Sequence, residues 1–226
     1  DGEAFEGGSA EGANLAIGIE HRYEWYKLRK GEPLSYAGAG AQGFPGYNPP
    51  SPVHVDRHAL SAFLDAELSL LPGLDLGGAV RYEDYSDFGS RTIWKGSLFW
   101  RAAPFAALRG TISTGFRAPS LQQQYFSTVT SQLSNGVLVN VGNFAVRDPV
   151  SRALGASPLK AETSRNYSGG IVLTPMRQLD LSIDIYRIDI KNRITFSESL
   201  TGPAVTAILL ANGITNASQV RFFTNA

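Results

Sequence analysis

Apolar and polar residues alternate with a period of two over long stretches of this chain. Between residues 106 and 117 the even positions are Ala106, Leu108, Gly110, Ile112, Thr114 and Phe116, and the odd ones are Ala107, Arg109, Thr111, Ser113, Gly115 and Arg117. Such a segment is an extended strand with one apolar face and one polar, basic face. The same pattern sets Leu60, Ala62, Leu64, Ala66, Leu68 and Leu70 against Ser61, Phe63, Asp65, Glu67 and Ser69. It recurs with Leu74, Leu76, Gly78, Val80 and Tyr82 against Asp75, Arg81 and Glu83, and with Trp94, Leu98 and Trp100 against Lys95, Ser97 and Arg101. Three further segments follow it: Leu15, Ile17, Ile19, His21, Tyr23 and Trp25; Tyr167, Gly169, Ile171 and Leu173; and Leu179, Leu181, Ile183 and Ile185. Seven long strands are therefore predicted, with an eighth starting in "SQVRFFTNA" at residues 218–226.

Alternation alone says that each strand is half buried; length and connection pattern say in what. The segments run about 11 residues, against the five or six usual in globular sheets and the 9 to 11 that cross a bilayer obliquely. Short, Pro-containing links fall at "LLPGLD", "RAAPFAA" and "TPMRQLD", and long connections at 26–57, 119–161 and 196–218. Only "YSDFGSR" is a short link on the long-loop side. Short turns at one rim and long loops at the other are the layout of an outer-membrane β-barrel. Trp94 and Trp100 share a face about 20 Å apart, near the two aromatic girdles of an apolar band about 25 Å tall. In this reading Leu108, Ile112 and Phe116 face lipid. Arg109 and Arg117, together with Lys95, Arg101, Arg81, Asp65, Glu67, Glu83 and Asp184, line a hydrated lumen, where a charge escapes the several kcal/mol that dry burial costs. The competing reading is a soluble β-rich binding or adhesion module, in which the same alternation separates core from solvent.

Composition narrows the function classes. Twenty Lys plus Arg balance twenty Asp plus Glu, so no bulk electrostatic attraction to nucleic acid exists. The absence of cysteine excludes disulfides, thiolate zinc sites and cysteine nucleophiles. No apolar run approaches the roughly 20 residues of a membrane helix. The first residues, "DGEAFEGGSAEGAN", have neither the basic nor the apolar region of a signal peptide, and the chain is expected to start inside a longer one.

Local features complete the expectation. Pro119 cannot donate to a ladder and biases Ala118 to an extended conformation, so strand pairing ends there and a loop begins; Arg117 is expected to pair with a carboxylate of an adjacent strand or of a plug. His54, Asp56 and His58 share one face of an extended segment, but without fixed geometry they do not make a metal site, and none is expected. "NGVLVNVGN" at 135–143 alternates like one strand of a hairpin, and "GPAVTAILLANG" at 202–213 predicts a short helix with Val205, Ile208, Leu209 and Leu210 on or near one side. "GFPGYNPP", with Phe44, Tyr47 and Asn48, and "LQQQYF", with Gln122, Gln123, Tyr125 and Phe126, offer rings and amides suited to stacking on and bonding a small ligand. No G-x-S-x-G, P-loop or H-E-x-x-H is present, and the scattered carboxylates are the lining of a wet barrel, so no enzyme and no cofactor are expected.

"TGFRAPSLQQQYF" resembles the strand end and loop start of TonB-dependent outer-membrane receptors, through Phe116, Arg117, Ala118, Pro119 and Ser120. "LKAETSRNYSGGIVL" resembles the segment that re-enters their barrel after the following loop, with Leu159, Lys160, Glu162 and Thr163 matching and Ala161 standing where the family usually has proline. "LSIDIYRIDIKNRI" and "FFTNA" are similar to the next two strands. The motifs cover 109–226; residues 1–108 match by pattern alone. The resemblance implies an all-β fold: an antiparallel transmembrane segment of about 7–8 long strands from the late part of a barrel of about 22, lacking the family's plug domain and TonB box. Seven or eight strands cut from such a barrel are expected to form an open, strongly curved antiparallel sheet. It also implies uptake of a scarce nutrient across a Gram-negative outer membrane, whether a siderophore-bound iron, a cobalamin or an oligosaccharide. The partners implied are outer-membrane lipid, the protein's own plug and TonB. A passive outer-membrane pore is the alternative within the membrane class.

Overall fold

The computed structural model describes residues 12–29, 52–134 and 136–226. The alternating segments form long strands: β1 (Ala13–Leu28), β2 (Val53–Leu71), β3 (Leu74–Tyr85), β4 (Gly89–Ala103) and β5 (Ala106–Arg117). A short helix α1 (Leu121–Tyr125), strands β6 (Thr128–Ser134) and β7 (Val137–Asn143) and helix α2 (Pro149–Ala153) precede β8 (Glu162–Met176) and β9 (Leu179–Lys191). The chain continues through β10 (Ile194–Phe196), α3 (Pro203–Ala211), β11 (Gln219–Arg221) and β12 (Phe223–Asn225). By internal contacts it divides into two units, one holding most of the long strands and the other the long connections.

The first unit is built on a seven-stranded sheet in the order β1-β2-β3-β4-β5-β8-β9. Every neighbouring pair from β2 to β9 is antiparallel. The order is open, ending at β1 and β9. The predicted eighth strand does not join it: Gln219–Arg221 pairs with β7 and Phe223–Asn225 with β10. Three residues each is too short for the alternation that marks the others, so the sequence signal there came from a loop-borne pairing.

One face of the sheet is apolar and exposed, carrying Ile17, Ile19, Leu60, Leu64, Val80, Trp94, Leu98, Trp100, Leu108, Ile112, Ile183 and Ile185. Registers align these residues in rows, such as Val80 with Trp94 and Trp100 with Leu108. A strand face of this kind has no core of its own and needs an apolar medium against it. Phe116 holds an even position and keeps its register with Thr163, and its ring stands edge-on to the buried Tyr85 at 5.9 Å. Beside it β4–β5 pairing runs only as far as Lys95 with Ser113, beyond which the Trp94 N–H donates to the Thr114 hydroxyl (3.0 Å).

The opposite face is charged, and its ions pair across intervening strands. Arg81 on β3 donates to Glu20 on β1 (2.8 Å) and to Glu83 (2.5 Å), and Arg22 donates to the Tyr85 hydroxyl, which in turn donates to Glu83. Between them β2 offers the small, buried Ala59 and Ser61 opposite Tyr85 and Glu83, and Phe63, whose ring lies 5.9 Å from the guanidinium, opposite Arg81. A second bridge spans β8: the Arg109 guanidinium grips both oxygens of Asp184, at 2.8 and 2.5 Å. Arg109, Gly170 and Asp184 lie in one register row. A Cβ at Gly170 would stand 2.0 Å from the Asp184 carboxylate. The glycine is what lets the pair close over its strand.

Gly170→Ala should therefore open the Arg109–Asp184 bridge and lower the stability of the folded protein modestly, because both partners are half exposed. In an Asp184→Ala background the same change should be neutral or slightly stabilising, since the clash is gone and alanine lowers unfolded-chain entropy. Urea midpoints read from gel mobility of folded and unfolded species measure both; equal losses in the two backgrounds would show that Gly170 serves another purpose.

Candidate functional site

The loop-borne unit is ordered by its own core. Phe144, Val150, Val205, Leu209, Val220 and Phe222 form one buried cluster, and Val146, Leu159 and Ile194 another. The predicted hairpin strand forms as β7, pairing antiparallel with β6, while β11 adds in parallel on its other side. The predicted helix forms as α3, burying Val205 and Leu209; Leu210 points away and is exposed, so the apolar side is narrower than the sequence suggested. Asp148 caps α2 by accepting from the Val150 N–H at 2.9 Å. Burial pushes its carboxyl above the ordinary range, and that hydrogen bond opposes the shift.

The "FRAPS" stretch is a junction. The Pro119 carbonyl accepts from Arg57 Nη1 at 2.8 Å, and Arg57 also donates from Nε to Glu24 at 3.1 Å and closes a second contact to the same carboxylate oxygen through Nη2. Arg57 is 5% exposed and Pro119 is fully buried. A buried guanidinium is tolerated only when paired and hydrogen-bonded, which Glu24 and Pro119 achieve. Ser120 then starts α1 with a capping box: its hydroxyl accepts from the Gln123 N–H (3.1 Å) and the Gln123 side chain accepts from the Ser120 N–H (3.0 Å).

The second motif lies against the first. Arg117 and Glu162 are register partners with 3.7 Å between their charges, and Phe116 pairs with Thr163, so the adjacent-strand option for Arg117 is the one realised. Leu159 and Ala161 are buried. The Lys160 N–H donates to the Asn225 side chain (2.8 Å), which donates back to the Lys160 carbonyl (3.0 Å) and to that of Asn192 (2.7 Å). Two stretches 42 positions apart in sequence (117 to 159) thus close one loop at its base.

The expected ligand-contact residues meet different fates. Gln123 is spent on the cap, Tyr125 stacks under the Arg147 guanidinium at 5.2 Å, Phe126 is half buried, and Gln122 is exposed. Phe44, Tyr47 and Asn48 lie outside the described residues. Among the described residues no group of three or more His, Cys, Asp or Glu could hold a metal; His58 instead faces His21 (3.3 Å between ring nitrogens) and Tyr23. Sequence reasoning missed Arg57, Arg147 and Asn225. Only Arg57 carried a signal, its odd position on a strand whose even positions are apolar from Leu60 onward.

A family model described as "TonB dependent receptor-like, beta-barrel" matches residues 5–223. The chain is 24% identical over 181 residues to an iron-regulated outer membrane virulence protein of Vibrio cholerae, covering 80% of this chain and 23% of that protein. In structure it resembles a ferric enterobactin receptor of Pseudomonas aeruginosa (TM-score 0.63, 19% identity), over 94% of this chain and 28% of that one. It also resembles a siderophore receptor of Acinetobacter baumannii (TM-score 0.63, 17% identity), over 100% of this chain and 31% of that one. The chain spans less than a third of the length of each of these proteins.

Arg57→Ala should leave the Glu24 carboxylate and the Pro119 carbonyl without this donor, costing about 2 kcal/mol locally. Hydrogen exchange of the amides at 120–126 in the full-length protein should accelerate, and Arg57→Lys, with no planar fork, should restore only part of the protection. Unchanged exchange in Arg57→Ala would remove Arg57 from its place as the anchor of this junction.

Proposed function

The chain belongs to the TonB-dependent receptor family, within its β-barrel, and on that premise we propose that the whole protein takes up a ferric siderophore across the outer membrane. Its strands belong to that membrane, where the exposed apolar face meets lipid. The iron and siderophore character of the named relatives carries the choice of nutrient. This part of the chain supplies barrel wall and recognition loops. A plug domain elsewhere in the protein and the inner-membrane TonB protein supply closure and energy. Gln122 and Tyr125 on α1, together with the stretch containing Phe44, Tyr47 and Asn48, are proposed to contact the ligand: amides and rings suit the polar, aromatic surface of a chelated ferric ion, and α1 holds its pair on a capped helix. No residue is assigned a catalytic role.

The test is transport by the full-length protein in cells that make no siderophore of their own. Radiolabelled ferric siderophore should accumulate only when both the protein and TonB are present, and labelled cobalamin should not. Accumulation that persists without TonB would support a passive pore instead, and uptake of cobalamin but not of iron would overturn the choice of nutrient. Gln122→Ala with Tyr125→Ala should weaken ligand binding about tenfold, in line with loss of one or two interface contacts.

A further inference from the structure

The apolar face of the sheet ends in a distinctive way at β8 and β9. Toward the ends joined to the long connections, the row of Ile171 with Ile183 gives way to Tyr167 opposite Arg187, then Arg165 opposite Asp189, then Thr163 opposite Lys191. By alternation all of these stand on the apolar, lipid-facing side. Arg187 Nε lies 3.0 Å from both oxygens of Asp189, which occupies that carboxylate. Among the described residues neither Arg165 nor Lys191 has an ion-pair partner. The corresponding ends of β2 and β3 carry His58 and Asp84 on the same face.

Beside these cations is a depression of about 270 Å³ whose lining includes Trp94, Thr114, Thr163, Arg165, Asp189 and Lys191. Its floor is one continuous row: the Trp94 N–H donates to the Thr114 hydroxyl, Thr114 is the register partner of Arg165, and Arg165 that of Asp189. Two unpaired cations, the Thr163 hydroxyl and an indole suit a phosphate carried on a sugar. Guanidinium and ammonium bind the phosphate oxygens, the hydroxyl completes the hydrogen bonding, and the indole packs on the ring. Because the site lies outside the barrel wall, where the apolar band ends on the long-loop rim, its occupant is neither nutrient nor plug. It is a headgroup of the outer leaflet, where basic residues at a membrane boundary attract anionic lipid.

We propose that Arg165 and Lys191 hold a phosphate of an outer-leaflet glycolipid, with Trp94 against its sugar, so that this sector of the barrel carries a specific lipid. The proposal rests on the outer-membrane reading above but not on the identity of the nutrient. The experiment is native mass spectrometry of the full-length receptor in detergent, titrated with purified bisphosphorylated lipid A or with the same lipid stripped of phosphate. The unaltered protein should retain the phosphorylated lipid and release the phosphate-free one. Arg165→Gln with Lys191→Gln should lower retention about tenfold, whereas Arg177→Gln, at the turn on the opposite rim, should not. Folding of each variant is read from its heat-modifiable gel mobility, and if the double variant fails to fold, each single substitution should lower retention by itself. Equal retention of both lipids by the unaltered protein, or undiminished retention by the folded variants, would overturn the proposal. Binding of ferric siderophore, measured on the same samples, should be unchanged in the double variant. Its absence from the unaltered protein would count against the uptake reading while leaving the lipid result standing.

Discussion

In hydrocarbon no water is available to satisfy a backbone N–H or C=O, so a chain that crosses a membrane as strands must pair every one of them with a neighbouring strand. The antiparallel ladder from β2 to β9 meets that demand. The remaining features of the wall follow from it. Pairing over the membrane's thickness makes the strands long; the pleat makes their side chains alternate; and two different media on the two sides sort the alternate residues into an apolar set and a charged set. Where the ladder must stop, Pro119 stops it, and where pairing between β4 and β5 ends, β5 stays in register with β8 and the Phe116 ring stands against Tyr85.

The charged face solves a second problem under the same constraint. Adjacent strands place side chains in rows, and a small residue on the strand between gives a long cation room to reach two strands away. Ser61 and Ala59 leave that room opposite Glu83 and Tyr85, Phe63 lies opposite Arg81, and Gly170 leaves room beneath Arg109–Asp184. The wall is thus cross-braced by ion pairs at right angles to its hydrogen-bonded strands, and each brace is encoded as much by the small residue under it as by the charges above.

The sheet was legible in the sequence because lipid and water read every residue of a strand separately, leaving a period of two over strands long enough to cross a bilayer. The loop unit was legible only in part. The alternation of β7 and the apolar side of α3 are local signals, but β6 pairs through a mixed polar stretch, and Arg57, Arg147 and Asn225 act on groups distant in sequence: Arg57 on Glu24 and Pro119, Asn225 on Lys160. Such contacts depend on the fold and leave no periodic trace. Gln123 shows the opposite case, a local signal with a second reading. Its amide reads as a ligand contact from composition, yet three residues after Ser120 it is also the second half of a capping box, and that local pairing is the use the structure makes of it.

The central claim is that the two faces of these strands meet lipid and water respectively, and β5 offers the most direct test because the chain contains no cysteine. Single cysteines placed at positions 108 to 113 of the full-length protein, in a cysteine-free background, are labelled with a fluorophore and reconstituted into bilayers containing brominated lipid. Quenching should be strong at Leu108 and Ile112 and weak at Arg109, Thr111 and Ser113. Quenching that is equal along the strand, or strongest at the odd positions, would contradict the account.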